Sequence, residues 1–189
     1  AGKVPRTIHD SIAPKEENLD EILFYDKYRK AALIDHFFKK TELINNFINS
    51  SLNELGDFVE GAYLYRTSGR DLKEVTLVRR GFVGQGESKS EAEITKKIVI
   101  SSGSSEIEID YRIKNTGKAF IESRFGTETN LFLKDKNYSG AKVIESKRVL
   151  DIHDDWTGTK LSFRFDKDTD IWAYELETVS DSESGLERT

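Results

Sequence analysis

Three stretches of this 189-residue chain gather side chains that could do chemistry. The first is FYDKYRKAALIDHFF, residues 24–38, where Asp35 and His36 stand among rings and a basic cluster. An aspartate beside a histidine is the start of an acid/base arrangement if a third group completes it. On a strand, Ala32, Ile34, His36 and Phe38 would face one way, and Ala31, Leu33, Asp35 and Phe37 the other. On a helix, Phe24, Tyr28, Ala31 or Ala32, and Asp35 would share a face. Neither template prevails. Asp35 and His36 lie between apolar residues, and polar groups so placed are more often buried with hydrogen-bond partners than catalytic.

The second stretch is DIHDDW, Asp151 to Trp156, in which His153 and three aspartates adjoin a tryptophan. A ring can stack on the C–H face of a sugar while carboxylates accept from its hydroxyls. The competing reading is a polar turn capped by Asp154 or Asp155, with Trp156 entering the core. The third stretch is DKDTDIWAYELE. Asp166, Asp168 and Asp170 hold positions 1, 3 and 5 of a calcium loop, and Glu177 position 12. Position 6 is Ile171, where the sharp turn requires glycine, and the flanks read as strands. An acidic hairpin turn fits better, so no metal site is expected.

Other chemistries lack their signatures. There is no cysteine, which removes disulfides and thiolate ligands. The histidines at 9, 36 and 153 are scattered, so zinc catalysis is disfavoured. The GxSxG elbow is absent. GFVGQGES, residues 81–88, is glycine-rich but has neither GxGxxG order nor a following Lys-Ser/Thr, and reads as a hairpin tip. Two glycan sequons, at Asn49 and Asn137, mean little without a secretion signal. Among 34 acidic residues no pair stands out as a glycosidase couple.

The elements that would position these groups are mostly strands. From Asp57 onward, eight β-rich segments are separated by turn chemistry such as TSGRD, GQGES, SSGSS, NTGK and DKDTD. In EIEIDYRI the apolar side is Ile107, Ile109, Tyr111 and Ile113; in KLSFRF it is Leu161, Phe163 and Phe165. Such alternation predicts one buried and one wet face, the mark of antiparallel sheets. Ahead of them, residues 1–20 read as an extended linker with a helical turn near Glu16–Leu23. Residues 40–56 place Leu43, Ile44, Phe47 and Ile48 on one helical face. The expected fold is one mainly β domain over residues 21–189, an antiparallel β-sandwich with a short helical N-terminal region. With 33% charged residues, a net charge of -5 and eleven Phe, the chain is globular and carries no basic nucleic-acid footprint. No apolar run reaches the roughly 18 residues of a membrane span, and no signal peptide is seen, which points to the cytoplasm.

The sequence also carries a resemblance. LFYDKYRKAALIDHFF resembles the start of the C-terminal domain behind the catalytic barrel of family 57 glycoside hydrolases, the 4-α-glucanotransferases and related α-amylases. The family pattern is Tyr-Asp, a basic cluster, a small residue, an apolar pair and Asp-His-Phe. Here these are Tyr25-Asp26, Arg29-Lys30, Ala32, Leu33-Ile34 and Asp35-His36-Phe37. The likeness continues through ELGDF (54–58), RFGTETNLFL (124–133), HDDWTG (153–158) and ELETVSDSESGLERT (175–189).

The resemblance implies a β-sandwich of the galactose-mutarotase type. It also implies a parent enzyme acting on α-1,4-glucans by a retaining mechanism, whose two catalytic carboxylates lie in the barrel. No residue here matches those motifs, so no catalytic residue and no cofactor is assigned. The family domain runs on past the point of Arg188, so its last strands are expected to be missing. The role implied is to support the barrel, the expected partner, and to contact the glucan. Tyr25, Asp26, Arg29, Asp35 and His36 become structural or interdomain residues. If sugar is bound, aromatic-plus-carboxylate composition favours Trp156 and Trp172 as platforms, with Asp154, Asp155, Glu128 and Asn130 as polar partners. A free-standing carbohydrate-binding or scaffold sandwich is the alternative. A sandwich that is itself an epimerase or glycosidase rests on fold analogy alone.

Overall fold

The computed structural model describes residues 26–70, 72–134, 140–176, 179–182 and 185–188. The expected helical turn near Glu16–Leu23 lies outside them, as does Tyr25. The chain from Lys27 to Phe132 forms one compact unit, and Leu133 onward belongs to another.

The first unit opens with strand β1, Ala32–Phe38, and a single helical turn, α1, Ile44–Ile48. The helix expected across residues 40–56 shrinks to these five residues. Leu43 at the N-cap offers no side-chain bond, Asn45 and Asn46 are poor helix formers, and Ser50 turns left-handed at φ 51. Four strands follow as a meander: β2 (Leu64–Ser68), β3 (Leu72–Val83), β4 (Ser90–Ser101) and β5 (Ile107–Asn115), all antiparallel in the order β2-β3-β4-β5. The glycine-rich stretch joins β3 to β4 as the hairpin tip expected, with Gly84 and Gly86 at positive φ. Strand β6, Arg124–Thr129, then returns to pair antiparallel with β1.

The two sheets meet through Phe37 on β1, which packs with Phe58, Val83, Ala92 and Ile94, backed by Tyr111 and Phe125. The link is tightened by the segment 54–57. Its Leu55 N–H donates to the Phe37 carbonyl, and its carbonyl accepts from Gly84 N–H. Gly126 is needed for close approach, since a Cβ there would stand 3.1 Å from the Phe38 ring.

One expectation fails on this sheet. Of the predicted buried face of β5, Tyr111 is half-buried, but Ile107, Ile109 and Ile113 are 61, 38 and 41% exposed. β1 and β6 have seven and six residues against twelve in β3 and β4, and the covered stretch ends near Tyr111.

The second unit is built on a hairpin of β7, Lys142–Asp154, and β8, Thr159–Ala173, followed by a small hairpin of β9, Val179–Ser182, and β10, Gly185–Arg188. Leu161, Phe163 and Phe165 alternate with exposed neighbours as predicted. The acidic segment does not form the expected turn. Asp166, Asp168 and Asp170 lie inside β8, where the register slips between Lys147↔Thr169 and Val149↔Arg164, so that β8 bulges. The bulge is held by Arg148 Nε on Asp168 (2.7 Å) and by Ser146 N–H on Asp170 (3.2 Å). Pairing resumes on both sides, so the extra residues of β8 are taken up as a bulge within one strand and not as a chain reversal. The fold is therefore mainly antiparallel β, as the alternation predicted.

Candidate functional site

The densest chemistry lies on β1. A bulge opens it: Ala32 pairs with Thr129 and Ile34 with Glu128, leaving Leu33 as the extra residue at φ 61. Beyond it the strand alternates regularly, so Asp35 and His36 enter opposite sides, and both are buried.

Asp35 faces the meander. Its Oδ2 lies 2.8 Å from Lys96 Nζ and accepts from the Tyr63 hydroxyl. Lys96 also donates to the Leu33 carbonyl at 2.5 Å, the group the bulge presents to it. The ammonium lies 4.4 Å from the centre of the Tyr63 ring and 5.7 Å from that of Tyr111. Burial, then the bond to Asp35, pushes the Tyr63 hydroxyl far above its ordinary range, so it stays a neutral donor. Burial likewise raises Tyr111 to about 12. Asp35 Oδ1 is buried with no hydrogen-bond partner among the described residues. Burying a charge pair this way costs several kcal/mol per ion unless geometry and added bonds offset it.

His36 faces the other side and is held at both ring nitrogens. Nε2 is 2.9 Å from Glu128, and Nδ1 bonds to Glu54. Burial works against its charge, but the two carboxylates outweigh it and raise it to about 8. Glu128 in turn accepts from Tyr28 (2.7 Å) and Asn130 (2.7 Å) and pairs with Lys30 at 3.2 Å. Burial alone would raise Glu128; these partners instead hold it down to about 2. Phe47 of α1 closes edge-on over the imidazole at 5.3 Å.

This geometry limits the chemistry. An imidazole donating from both nitrogens is a cation and has no lone pair to serve as a base. Lys96 and Asp35 are equally enclosed. A cleft of about 330 Å3 beside them is lined by Tyr28, His36, Phe47 and Glu54 among others, but the histidine edge it reaches is already bonded. Both assemblies therefore act as ties that lock β1 to β4 on one side and to β6 and the 54–57 segment on the other. Sequence reading placed Asp35 and His36 here but missed Lys96, Glu54 and Tyr63. The available signal was Lys96 itself, a charge on the apolar side of Ala92, Ile94, Ile98 and Ile100.

The expected sugar-contacting residues divide between the units. Glu128 and Asn130 belong to the β1–β6 assembly, and Asn130 also donates to the Ala31 carbonyl at 2.8 Å. The other four sit on the β7–β8 hairpin. Asp154 is buried and caps the turn: Oδ1 accepts from Thr157 N–H (3.2 Å) and Oδ2 from Lys134 N–H (3.1 Å). Burial opposes its charge, but these backbone donors hold the carboxyl below its usual range. Trp156 does not enter the core; it stands 77% exposed beside exposed Asp155. Trp172 is half-buried opposite Val143, at the far end of the hairpin, with roughly 35 Å of strand between. Asp26 and Arg29 are exposed. Among the described residues no cluster of three His, Asp or Glu could hold a metal ion, and no helix is long and apolar enough to cross a membrane.

Comparison with known proteins agrees with this fold. Residues 1–189 match the family described as Alpha-amylase/4-alpha-glucanotransferase, C-terminal. An alpha-amylase of Pyrococcus abyssi is 29% identical over 179 residues, 95% of this chain and 25% of that protein. A 4-alpha-glucanotransferase of Thermococcus kodakarensis is 27% identical over 184 residues, 97% and 26%. The crystal structure of the 4-alpha-glucanotransferase from Thermococcus litoralis superposes with a TM-score of 0.77 at 29% identity, covering 92% of this chain and 26% of that one. This chain belongs to the C-terminal domain family of the alpha-amylases and 4-alpha-glucanotransferases. It spans about a quarter of the length of the curated relatives it matches.

Proposed function

We propose that this chain is the non-catalytic β-sandwich of a larger 4-α-glucanotransferase or α-amylase acting on α-1,4-glucans. Its role is to support the catalytic barrel and to offer the glucan a contact at Trp156. The observation that carries this reading is the family match across the whole chain, together with its quarter share of each relative's length. The β1 assemblies support it, because Asp35 and His36, the acid/base neighbours read from the sequence, are both enclosed, Asp35 against Lys96 and Tyr63 and His36 against Glu54 and Glu128. The glucan contact rests on Trp156 and Asp155, the exposed members of the expected set.

Two measurements test it. The purified chain should leave maltooligosaccharides unchanged; turnover would overturn the non-catalytic role. Calorimetric titration with maltoheptaose should give heat that Trp156→Ala removes. No heat with the native chain, or equal heat from the variant, would remove the glucan contact while leaving the supporting role intact.

A further inference from the structure

We propose that the meander-facing side of β1 is a receptor for a primary alkylammonium, which the chain fills with its own Lys96 side chain. The groups around Nζ come from three elements besides β4, which carries Lys96. β1 supplies Asp35 Oδ2 at 2.8 Å and the Leu33 carbonyl at 2.5 Å. Tyr63, just ahead of β2, and Tyr111 of β5 place their ring centres 4.4 and 5.7 Å from the nitrogen. The site is closed: the side chains of Lys96 and Asp35 are 4% and 0% exposed.

Two observations set this apart from an ordinary ion pair. The first is the backbone. Leu33 stands at φ 61, a left-handed conformation that a residue with a branched side chain adopts only at a cost. It has no counterpart in the register of β1 with β6, and its carbonyl goes to Lys96 instead. The bulge thus aims a carbonyl oxygen at the cation. The second is the Tyr63 hydroxyl, which donates to the same Asp35 oxygen that Lys96 meets. The carboxylate is therefore oriented by a group other than the cation it binds, as in a preorganised site.

These contacts select among cations. Two N–H bonds of the ammonium end on oxygen, and the tyrosine rings lie beside the remainder. A quaternary ammonium keeps the attraction to the rings but has no N–H for the carboxylate or the carbonyl. A neutral chain of the same shape leaves the Asp35 carboxylate buried without its cation. The site accordingly prefers R–NH3+ to both.

The chain has no cysteine, so Lys96→Cys provides a single thiol for alkylation in denaturant. Its thiolate displaces bromide from 2-bromoethylamine, (2-bromoethyl)trimethylammonium or 1-bromopropane. Each product has the length of lysine and ends in a primary ammonium, a quaternary ammonium or a methyl group. After refolding, denaturant melts compare the three with the native 189-residue chain. The aminoethyl form should recover the native folding constant to within about tenfold. The trimethylammonium and propyl forms should fall about a hundredfold or more below it, since each loses two hydrogen bonds from a charged donor. A second readout uses Lys96→Ala, which lacks three carbons and the nitrogen, the skeleton of n-propylammonium. Refolded with that ion at about ten times its Kd, the variant should gain about tenfold in folding constant. Tetramethylammonium and 1-propanol should not stabilise it, and the native chain, whose site is filled, should not respond to n-propylammonium. An aminoethyl form that fails to refold, or that is matched by the trimethylammonium or propyl form, would overturn the proposal. So would a Lys96→Ala chain that n-propylammonium neither folds nor stabilises, or that 1-propanol or tetramethylammonium stabilises equally.

Discussion

Two short segments of this chain have nearly the same ingredients and opposite fates. Residues 34–38, IDHFF, and 152–156, IHDDW, each join an isoleucine, a histidine, aspartate and rings. In the first, Asp35 and His36 are buried and every ring nitrogen is bonded. In the second, His153 is exposed, Asp154 is tied to turn amides, and Trp156 projects outward. Composition does not separate them; distant partners do. Lys96 lies 63 residues from the carbonyl it binds at Leu33, and Glu128 is 92 residues from His36. The turn at 153–158 needs nothing so remote.

The comparison can be broken most strongly at Lys96. Lys96→Ala leaves Asp35 buried and unpaired, which should cost about 3–5 kcal/mol in a denaturation experiment. Lys96→Met combined with Asp35→Leu should recover most of that loss, because the desolvation penalty leaves with the charges.

A pH series separates the two faces of β1. His36 is raised from 6.5 to about 8, so its contribution is complete below pH 6.5 and fades as pH rises through 8. Glu128 is lowered from 4.5 to about 2, so its share of the same interaction holds above pH 4.5 and is lost as pH falls towards 2. The melting temperature should peak between pH 4.5 and 6.5. It should then fall by about 4–8 °C towards pH 9, corresponding to about 2 kcal/mol. His36→Ala should cost clearly more at pH 6 than at pH 9. Equal costs would mean the charge of the imidazole contributes nothing.

Gly126→Ala should cost about 1 kcal/mol, since the new methyl meets Phe38 within the β1–β6 pair. Trp156→Ala should alter stability by less than about 0.5 kcal/mol, as expected for an exposed ring. A larger loss would mean that the turn, like β1, is part of a packed interior.

Much of the fold was legible because antiparallel strands announce themselves by alternation and turn chemistry. The β3–β4 hairpin, the strands β4 and β5, and the segments around Lys142–Asp154 follow directly, although the buried face expected of β5 is mostly exposed. β1 resisted because the Leu33 bulge breaks its alternation at the point where a period could be measured. β8 was divided in error because three aspartates within a strand look like a turn until the bulge is seen. At the site, the burial of Asp35 and His36 could be anticipated from their apolar neighbours. Their partners could not, since Glu54, Tyr63, Lys96 and Glu128 come from four separate segments. The resemblance of the motifs to the alpha-amylase and 4-alpha-glucanotransferase C-terminal domains was legible from residues alone, and the family match bears it out.

The pairing of β1 with β6 also sets an order of assembly. The meander β2–β5 closes through short hairpins, whereas β1 must find a partner strand across nearly the whole unit. Loop-closure entropy favours the meander forming first, with Lys96 still hydrated on its open face. Seating β1 then strips water from Asp35, Lys96 and His36 in one event. Amides of β1 and β6 should therefore exchange with deuterium through a cheaper opening than those of β3 and β4.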